Sequence, residues 1–169
     1  MEERHNREQY FFDQGTADAV ANLLERFEHP CLLCAPSVGV ELEERGVEVS
    51  TLDIDKRFTA LRGYRFWDIA RPTPLDATFD VIFCDPPFFS YSLSQLFQAI
   101  RMLARFDFTQ RLIVSYLVRR REAVLATFAP FGLKATDVRL RYRTVKPGAK
   151  NDIALFANFD LRGSNDDRD

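Results

Sequence analysis

Apolar positions along this chain follow two rhythms that take turns. Between Gly15 and Phe27 they recur at helical spacing (Ala19, Val20, Leu23, Leu24, Phe27), which puts them on one face. Cys31 to Ala35 is a short unbroken apolar run ending at Pro36, the form of a buried strand. Ser37 suits the N-cap of a helix through Arg45, which Gly46 closes. Val47 to Asp53 reads as a β-branched strand, followed by a helical turn near Phe58–Leu61 and a third strand from Tyr64 to Asp68. Phe79 to Asp85 is the clearest strand. Ser92-Leu93-Ser94-Gln95 has capping-box form and opens a helix with Leu93, Leu96, Phe97, Ile100 and Leu103 on its apolar face. Arg111 to Leu117 predicts another strand and Arg120 to Phe128 another helix. Val138–Arg143 and Ile153–Phe159 read as two strands joined through Lys146-Pro147-Gly148, a hairpin signal.

Alternating strands and helices with fully apolar strands predict an α/β fold. Its mostly parallel sheet is covered by helices on both faces and closed by a C-terminal antiparallel hairpin. The 169 residues fit one domain, with an ordered core over about 9–160 and polar, loose ends on either side, the tail being 161–169. In such sheets ligands bind beyond the carboxyl ends of the strands, where strand order reverses. A site is therefore expected just after Ala35, Asp53, Asp68 and Asp85, and three of those strand ends carry a carboxylate.

Composition narrows the setting. A hydrophobic share of 46% with 28% charged residues is that of a soluble globular protein. No apolar run approaches the ~20 residues of a membrane span, and the N-terminus has no signal-peptide core. A cytoplasmic protein without membrane contact is expected. The net charge of −2 gives no general attraction to nucleic acid but leaves room for a local basic face. The three cysteines sit in strand-like runs and read as reduced, buried thiols. Cys31 and Cys34 form a C-x-x-C, yet residues three apart on a strand face opposite ways and no second Cys/His pair lies near. A structural role is expected there, and no metal site.

The densest chemistry is Asp85-Pro86-Pro87-Phe88. Each proline fixes its own φ, and Pro87 also drives Pro86 into an extended conformation. The resulting stiff loop presents the Asp85 carboxylate and neighbouring carbonyls. Two fixed acceptors take both hydrogens of an amino group and aim its lone pair at an incoming electrophile. Phe88 offers a face on which a planar base stacks. Asp55, beyond the second strand, is placed to accept from ribose hydroxyls, with Asp53 as its competitor. On its own residues, Asp68 simply closes a strand. Tyr10-Phe11-Phe12 with Thr16 reads as a hydrophobic staple and cap.

Asp-Pro-Pro-Phe at the end of the fourth strand resembles the amino-methyltransferase signature of Rossmann-like, class I S-adenosylmethionine-dependent methyltransferases. Gln9 through Thr16, Ala35-Pro36-Ser37-Val38, Asp53-Ile54-Asp55-Lys56-Arg57-Phe58 and Asn151-Asp152 narrow the resemblance to the probable N6-adenine methyltransferase family, which includes lysine methyltransferases of eukaryotic elongation factor 1A. It runs from about Gln9 to Asp160. The resemblance implies S-adenosyl-L-methionine as cofactor, held by Ala35, Pro36, Ser37, Asp55, Asp68, Phe12 and Thr16, with Asp68 against its adenine and Tyr10-Phe11-Phe12 as a lid over its methionine end. It also implies catalysis by Asp85, Pro86, Pro87 and Phe88. Ala35-Pro36-Ser37 replaces the G-x-G of most such enzymes, a departure the family shares.

On the substrate side, Phe88, Arg143, Lys146 and Asn151 are the candidates. Arg139, Arg141 and Arg143 share one strand face by alternation, and with Arg119-Arg120-Arg121, Lys146 and Lys150 they suit a phosphate backbone. Charge that protects an edge strand is the competing reading. Three functions follow. The first is methylation of the exocyclic amine of adenine in RNA or DNA, the second methylation of a protein lysine on a translation factor. The third is a catalytically silent binding subunit. The chain has no room for a separate recognition domain, so specificity is expected to come from loops, from a partner subunit or from a structured substrate.

Overall fold

The computed structural model describes residues 1–163, so most of the polar tail lies outside the described residues. Seven strands form one sheet in the order β3-β2-β1-β4-β5-β7-β6. They are β1 (Pro30–Leu33), β2 (Ser50–Asp53), β3 (Tyr64–Phe66), β4 (Val81–Cys84), β5 (Leu112–Leu117), β6 (Lys134–Leu140) and β7 (Ile153–Ala157). The first five run parallel, and β7 is antiparallel to both β5 and β6. Every residue of β1, β4, β5 and β7 is buried, which is why these runs are apolar without alternation.

Among the described residues, four α-helices complete the layers: α1 (Gln14–Leu24), α2 (Pro36–Glu44), α3 (Leu93–Leu103) and α4 (Arg121–Thr127). The crossover through α2 steps from β1 toward β2, and the one through α3 steps from β4 toward β5, in the opposite direction across the sheet. Right-handed crossovers therefore put α2 and α3 on opposite faces. α3 starts with the expected capping box, Ser92 accepting from the Gln95 backbone while Gln95 reaches back. Between the layers sit Phe12, Phe83, Phe128 and Phe156, all fully buried.

Several local expectations are corrected. α2 begins at Pro36, with Ala35 in the cap position and no side-chain cap. Ser37 lies inside the first turn, because the fixed φ of Pro36 already suits that first helical position. β6 starts at Lys134 rather than Val138, and it ends at Leu140. A connection spanning 141–152 then leads to β7, in place of a tight hairpin. Of the three arginines expected on one strand face, only Arg139 lies in β6, and it pairs with Asp152 at 3.0 Å. Arg143 donates to the Phe12 carbonyl at 3.2 Å and lies over the Phe11 ring.

The N-terminal end is not loose either. Glu3 accepts from the Phe11 N–H at 2.8 Å and from Thr144 Oγ1 at 2.5 Å, and Arg57 donates to the Glu2 carbonyl at 2.9 Å. Its polar side chains tie the segment to the fold, so polarity there did not mean disorder.

At the amino ends of β2 and β3, Gly63 packs against the backbone of Val49. A Cβ there would lie 1.7 Å from the Val49 carbonyl oxygen, and backbone cannot yield as a flexible side chain does. Gly63→Ala is expected to lower unfolding free energy by about 1–3 kcal/mol, read as a shift of the urea midpoint with unchanged slope.

Candidate active site

Strand order reverses between β1 and β4, since β1 leads out toward β2 and β4 toward β5. That opens a crevice at the carboxyl edge. Hydrogen bonds extend the ladder past the strand ends and fix its walls: Cys34 N to Leu52 O at 3.0 Å, Asp85 N to Leu33 O at 3.0 Å, and Trp67 N to Asp53 O at 3.2 Å. One cavity occupies the crevice. Its walls are Cys34, Ala35, Pro36 and Ser37 from the first loop, Asp53, Ile54 and Asp55 from the second, and Trp67 and Ile69 from the third. Asp85, Pro86, Pro87 and Phe88 form the opposite wall, with Tyr91 and Tyr142 beside them.

Asp85 is 9% exposed. Its Oδ1 accepts from Tyr142 Oη at 2.6 Å and from Ser115 Oγ. Asp85 lines the cavity, and its Oδ2 accepts no hydrogen bond among the described residues. Burial pushes the carboxyl up to about 7, against the two hydroxyl donors that favour the ionised form. Phe88 meets Tyr116 edge to face at 5.1 Å, and Tyr116 Oη donates to the Phe88 carbonyl at 3.2 Å. The loop is thus held from β5 at both ends.

The two acidic residues after β2 differ. Asp53 engages only backbone donors, that of Asp55 at 2.8 Å. Burial, together with the nearby charge of Asp55, pushes it up to about 6. Asp55 is occupied by side chains on both oxygens, taking Arg57 at 2.7 to 3.1 Å and Gln9 at 2.9 Å. Burial opposes its ionisation, but Arg57 and then Gln9 hold it far below the usual carboxylate range.

A strap from the N-terminus crosses the cavity, contributing Arg7, Glu8, Gln9, Tyr10 and Phe11 to its lining. Gln9 fastens it to Asp55 and Arg57 on one bank. Glu8 fastens it on the other, accepting from the Phe89 N–H at 2.9 Å and Ser90 Oγ at 2.7 Å.

The expected residues thus fall into two groups. Ala35, Pro36, Ser37, Asp55, Asp85, Pro86, Pro87 and Phe88 share the cavity. Phe12 does not: its backbone pairs with Tyr142, and the strap's alternation turns Phe11 to the cavity and Phe12 into the core against Phe83. Thr16 sits on α1 with its hydroxyl accepting from the Arg141 N–H at 3.1 Å. Asp68 caps the Ala70 N–H at 2.8 Å and faces an outer groove with Lys56 and Phe66, while its neighbours Trp67 and Ile69 line the cavity. Lys146 and Asn151 line a separate groove that shares Tyr142 with the cavity. Arg143 is held by Phe11 and Phe12.

Ser115, Tyr142, Glu8 and Gln9 escaped sequence reasoning. Ser115 left a faint signal as the one hydroxyl-bearing aliphatic in the run Leu112–Leu117. Tyr142 left none. Among the described residues no cluster of three or more His, Cys, Asp or Glu is placed to hold a metal ion, and no helix is long and apolar enough to cross a membrane.

Sheet order and crevice together define a Rossmann-like, class I methyltransferase fold, the fold of S-adenosylmethionine-dependent enzymes. Residues 3–161 match the probable N6-adenine methyltransferase family, and the chain belongs to that family. Among solved structures it is similar to magnesium protoporphyrin IX methyltransferase from Synechocystis with bound S-adenosylmethionine. That similarity has a TM-score of 0.59 at 17% identity, over 85% of this chain and 77% of that one. Ribosomal protein L11 methylase from Lactobacillus delbrueckii gives a TM-score of 0.54 at 14% identity, over 88% and 80%. A tRNA (uracil-54, C5)-methyltransferase from Pyrococcus abyssi, in complex with S-adenosyl-L-homocysteine, gives 0.54 at 15% identity, over 85% and 36%. No curated protein sequence matches the chain. These three neighbours are named for a tetrapyrrole, a protein and an RNA, so the shared fold leaves the substrate open.

The raised Asp85 carboxyl has a consequence for stability. A carboxyl whose folded value (about 7) exceeds the ordinary 3.8 stabilises the fold while neutral, below about pH 4. That contribution is lost as pH rises through about 7. Asp85→Asn keeps an oxygen for Tyr142 and Ser115 but cannot ionise. Its melting temperature relative to wild type is expected to climb between pH 4 and pH 8 by several degrees, read by scanning calorimetry across that range. A difference independent of pH contradicts the buried-carboxyl account.

Proposed function

We propose that this protein transfers a methyl group from S-adenosyl-L-methionine to the exocyclic amine of adenine in RNA or DNA. The carrying observation is the Asp85 carboxylate in the cavity wall beside Pro86, Pro87 and Phe88, with one oxygen anchored by Tyr142 and Ser115 and the other without a hydrogen bond among the described residues. In this reading Asp85 Oδ2 and the Pro86 carbonyl accept the two amine hydrogens, and Phe88 stacks on the base. The nitrogen lone pair forms the new N–C bond as the S–C bond of the sulfonium breaks. Its electrons stay on sulfur as S-adenosylhomocysteine, and the amine's surplus proton leaves to Asp85 or water. The sulfonium supplies the driving force, and the protein supplies orientation.

On the cofactor side we assign the ribose hydroxyls to Asp53 rather than Asp55, because side chains already occupy both Asp55 oxygens. Trp67 and Ile69 form the wall for the cofactor's adenine, and Ala35-Pro36-Ser37 the wall at α2. Nucleic acid is supported by Arg119 over the exposed Phe89 ring, 6.0 Å away, and by Lys146 in the groove continuous with Tyr142. A cytoplasmic setting accords with three free cysteines.

One observation favours a lysine side chain as second reading. An Asp85 carboxyl near 7 is suited to take the proton that a lysine ammonium loses before attack.

Labelled S-adenosylmethionine offered with ribosomal RNA, duplex and single-stranded DNA, and translation factors decides between them, with Asp85→Ala as control. Label in nucleic acid that vanishes in Asp85→Ala is the expected result. Label confined to protein moves the reading to lysine, and no label with any substrate leaves a binding subunit. Cofactor affinity, followed through the single tryptophan Trp67, is expected to fall about tenfold or more in Asp53→Ala and by less in Asp55→Ala. The reverse ranking returns the ribose to Asp55.

A further inference from the structure

The Asp85 carboxylate is buried, and its free oxygen faces the cavity only if the other is held. Two hydroxyls hold it, and they come from different places. Ser115 belongs to β5, the neighbouring parallel strand. Tyr142 belongs to the connection between β6 and β7, far away in sequence, and its hydroxyl reaches Asp85 Oδ1 at 2.6 Å.

The backbone of Tyr142 is fixed by the strap. The Asp13 N–H donates to the Arg141 carbonyl at 2.9 Å, and the Arg143 N–H donates to the Phe11 carbonyl at 2.9 Å. These two bonds bracket the antiparallel Phe12–Tyr142 bridge. The Tyr142 ring packs on Phe12 with centroids 5.0 Å apart, which leaves it 8% exposed. The same strap crosses the cofactor cavity through Glu8 to Phe11. One segment thus covers the cofactor pocket and sets the side chain that orients the catalytic carboxylate.

We infer that Tyr142 is a positioning residue for Asp85, placed by the strap so that its hydroxyl holds Oδ1 and turns Oδ2 to the substrate nitrogen. The inference rests on the methyl-transfer reading for its purpose and on hydrogen-bond geometry for its substance. Tyr142 acts through Asp85 and needs no contact with substrate.

The groups facing Asp85 are few. Cys84 on β4 is a buried thiol and Cys34, just after β1, a half-buried one in the cavity wall, and both sense its charge. Ser115 faces it from β5 and Tyr142 from the connection. No cationic side chain pairs with it among the described residues. With so few partners, loss of one hydroxyl donor leaves the ionised carboxylate markedly less supported.

The test uses the full chain with 13C-labelled aspartate, comparing wild type with Tyr142→Phe, which keeps the ring against Phe12. The Asp85 carboxyl resonance is expected to titrate near 7 in wild type and about one pH unit higher in Tyr142→Phe. With the substrate found by labelling, the variant is expected to lose roughly 10- to 100-fold in kcat, with the acid limb of its pH profile moved the same way. Cofactor affinity by Trp67 fluorescence stays within about twofold of wild type. An unchanged midpoint overturns the inference, as does a loss confined to cofactor affinity. A moved midpoint with no methylated substrate supports the hold on Asp85 and sinks the proposed reaction. Should Tyr142→Phe fail to fold, a 13Cζ label on Tyr142 of the wild type serves instead. A step at the Asp85 midpoint supports the contact, and a resonance silent across that range overturns it.

Discussion

A carboxylate kept out of water must be held on purpose, and in this molecule most of the carboxyl edge is arranged around that need. Asp85 stands where β4 leaves the sheet, at the reversal of strand order, with burial raising the free energy of its ionised form. Ordinary strand-ending aspartates avoid that cost by facing solvent. This one is enclosed by β1 through the bond from its own N–H to Leu33, by Ser115 of β5, and by Tyr142 from across the chain. The prolines that follow stop the loop from relaxing toward water. What remains is one carboxylate oxygen without a hydrogen bond among the described residues.

The strap gives that arrangement its second function. A segment spanning the crevice from Gln9 on the Asp55 bank to Glu8 on the Phe89–Ser90 bank covers the cavity. Because it also pairs with the connection bearing Tyr142, the closed cavity and the oriented carboxylate are two results of one set of backbone bonds. Of those bonds, the ones at Glu8 lie at the exposed rim, where opening costs least. The bonds around Tyr142 are buried behind Phe12. Opening at the rim therefore leaves Asp85 held.

Much of the fold was legible because its signals are local. The unbroken apolar runs of β1, β4 and β5, the capping box before α3 and the aspartates at strand ends each report their own environment. Asp85-Pro86-Pro87-Phe88 was legible for the same reason, its stiffness being written in two adjacent prolines. The errors share a cause as well. Phe12 and Thr16 are expected at the cofactor by their place in a motif, but the bridge to Tyr142 turns Phe12 into the core and Thr16 lies on α1 against Arg141. The arginine alternation after Val138 assumed a strand that ends at Leu140. Pairing between residues more than a hundred positions apart leaves no periodic trace, and that pairing placed both the strap and Tyr142.

The contrast between Asp53 and Asp55 sharpens the point. Two residues apart and chemically identical, they differ only in what reaches them. Arg57 and Gln9 saturate Asp55 and keep it ionised, so it fastens the strap and fixes the turn before Phe58. Asp53 receives backbone donors alone, at the end of β2, beside the wall of Trp67. An acceptor that partners already fill makes a good anchor and a poor ligand site, whereas one left partly unfilled in a cavity gains by meeting a hydroxyl. The same rule distinguishes the two oxygens of Asp85. At this edge, function belongs to the acceptors that the fold has brought into place and then left open.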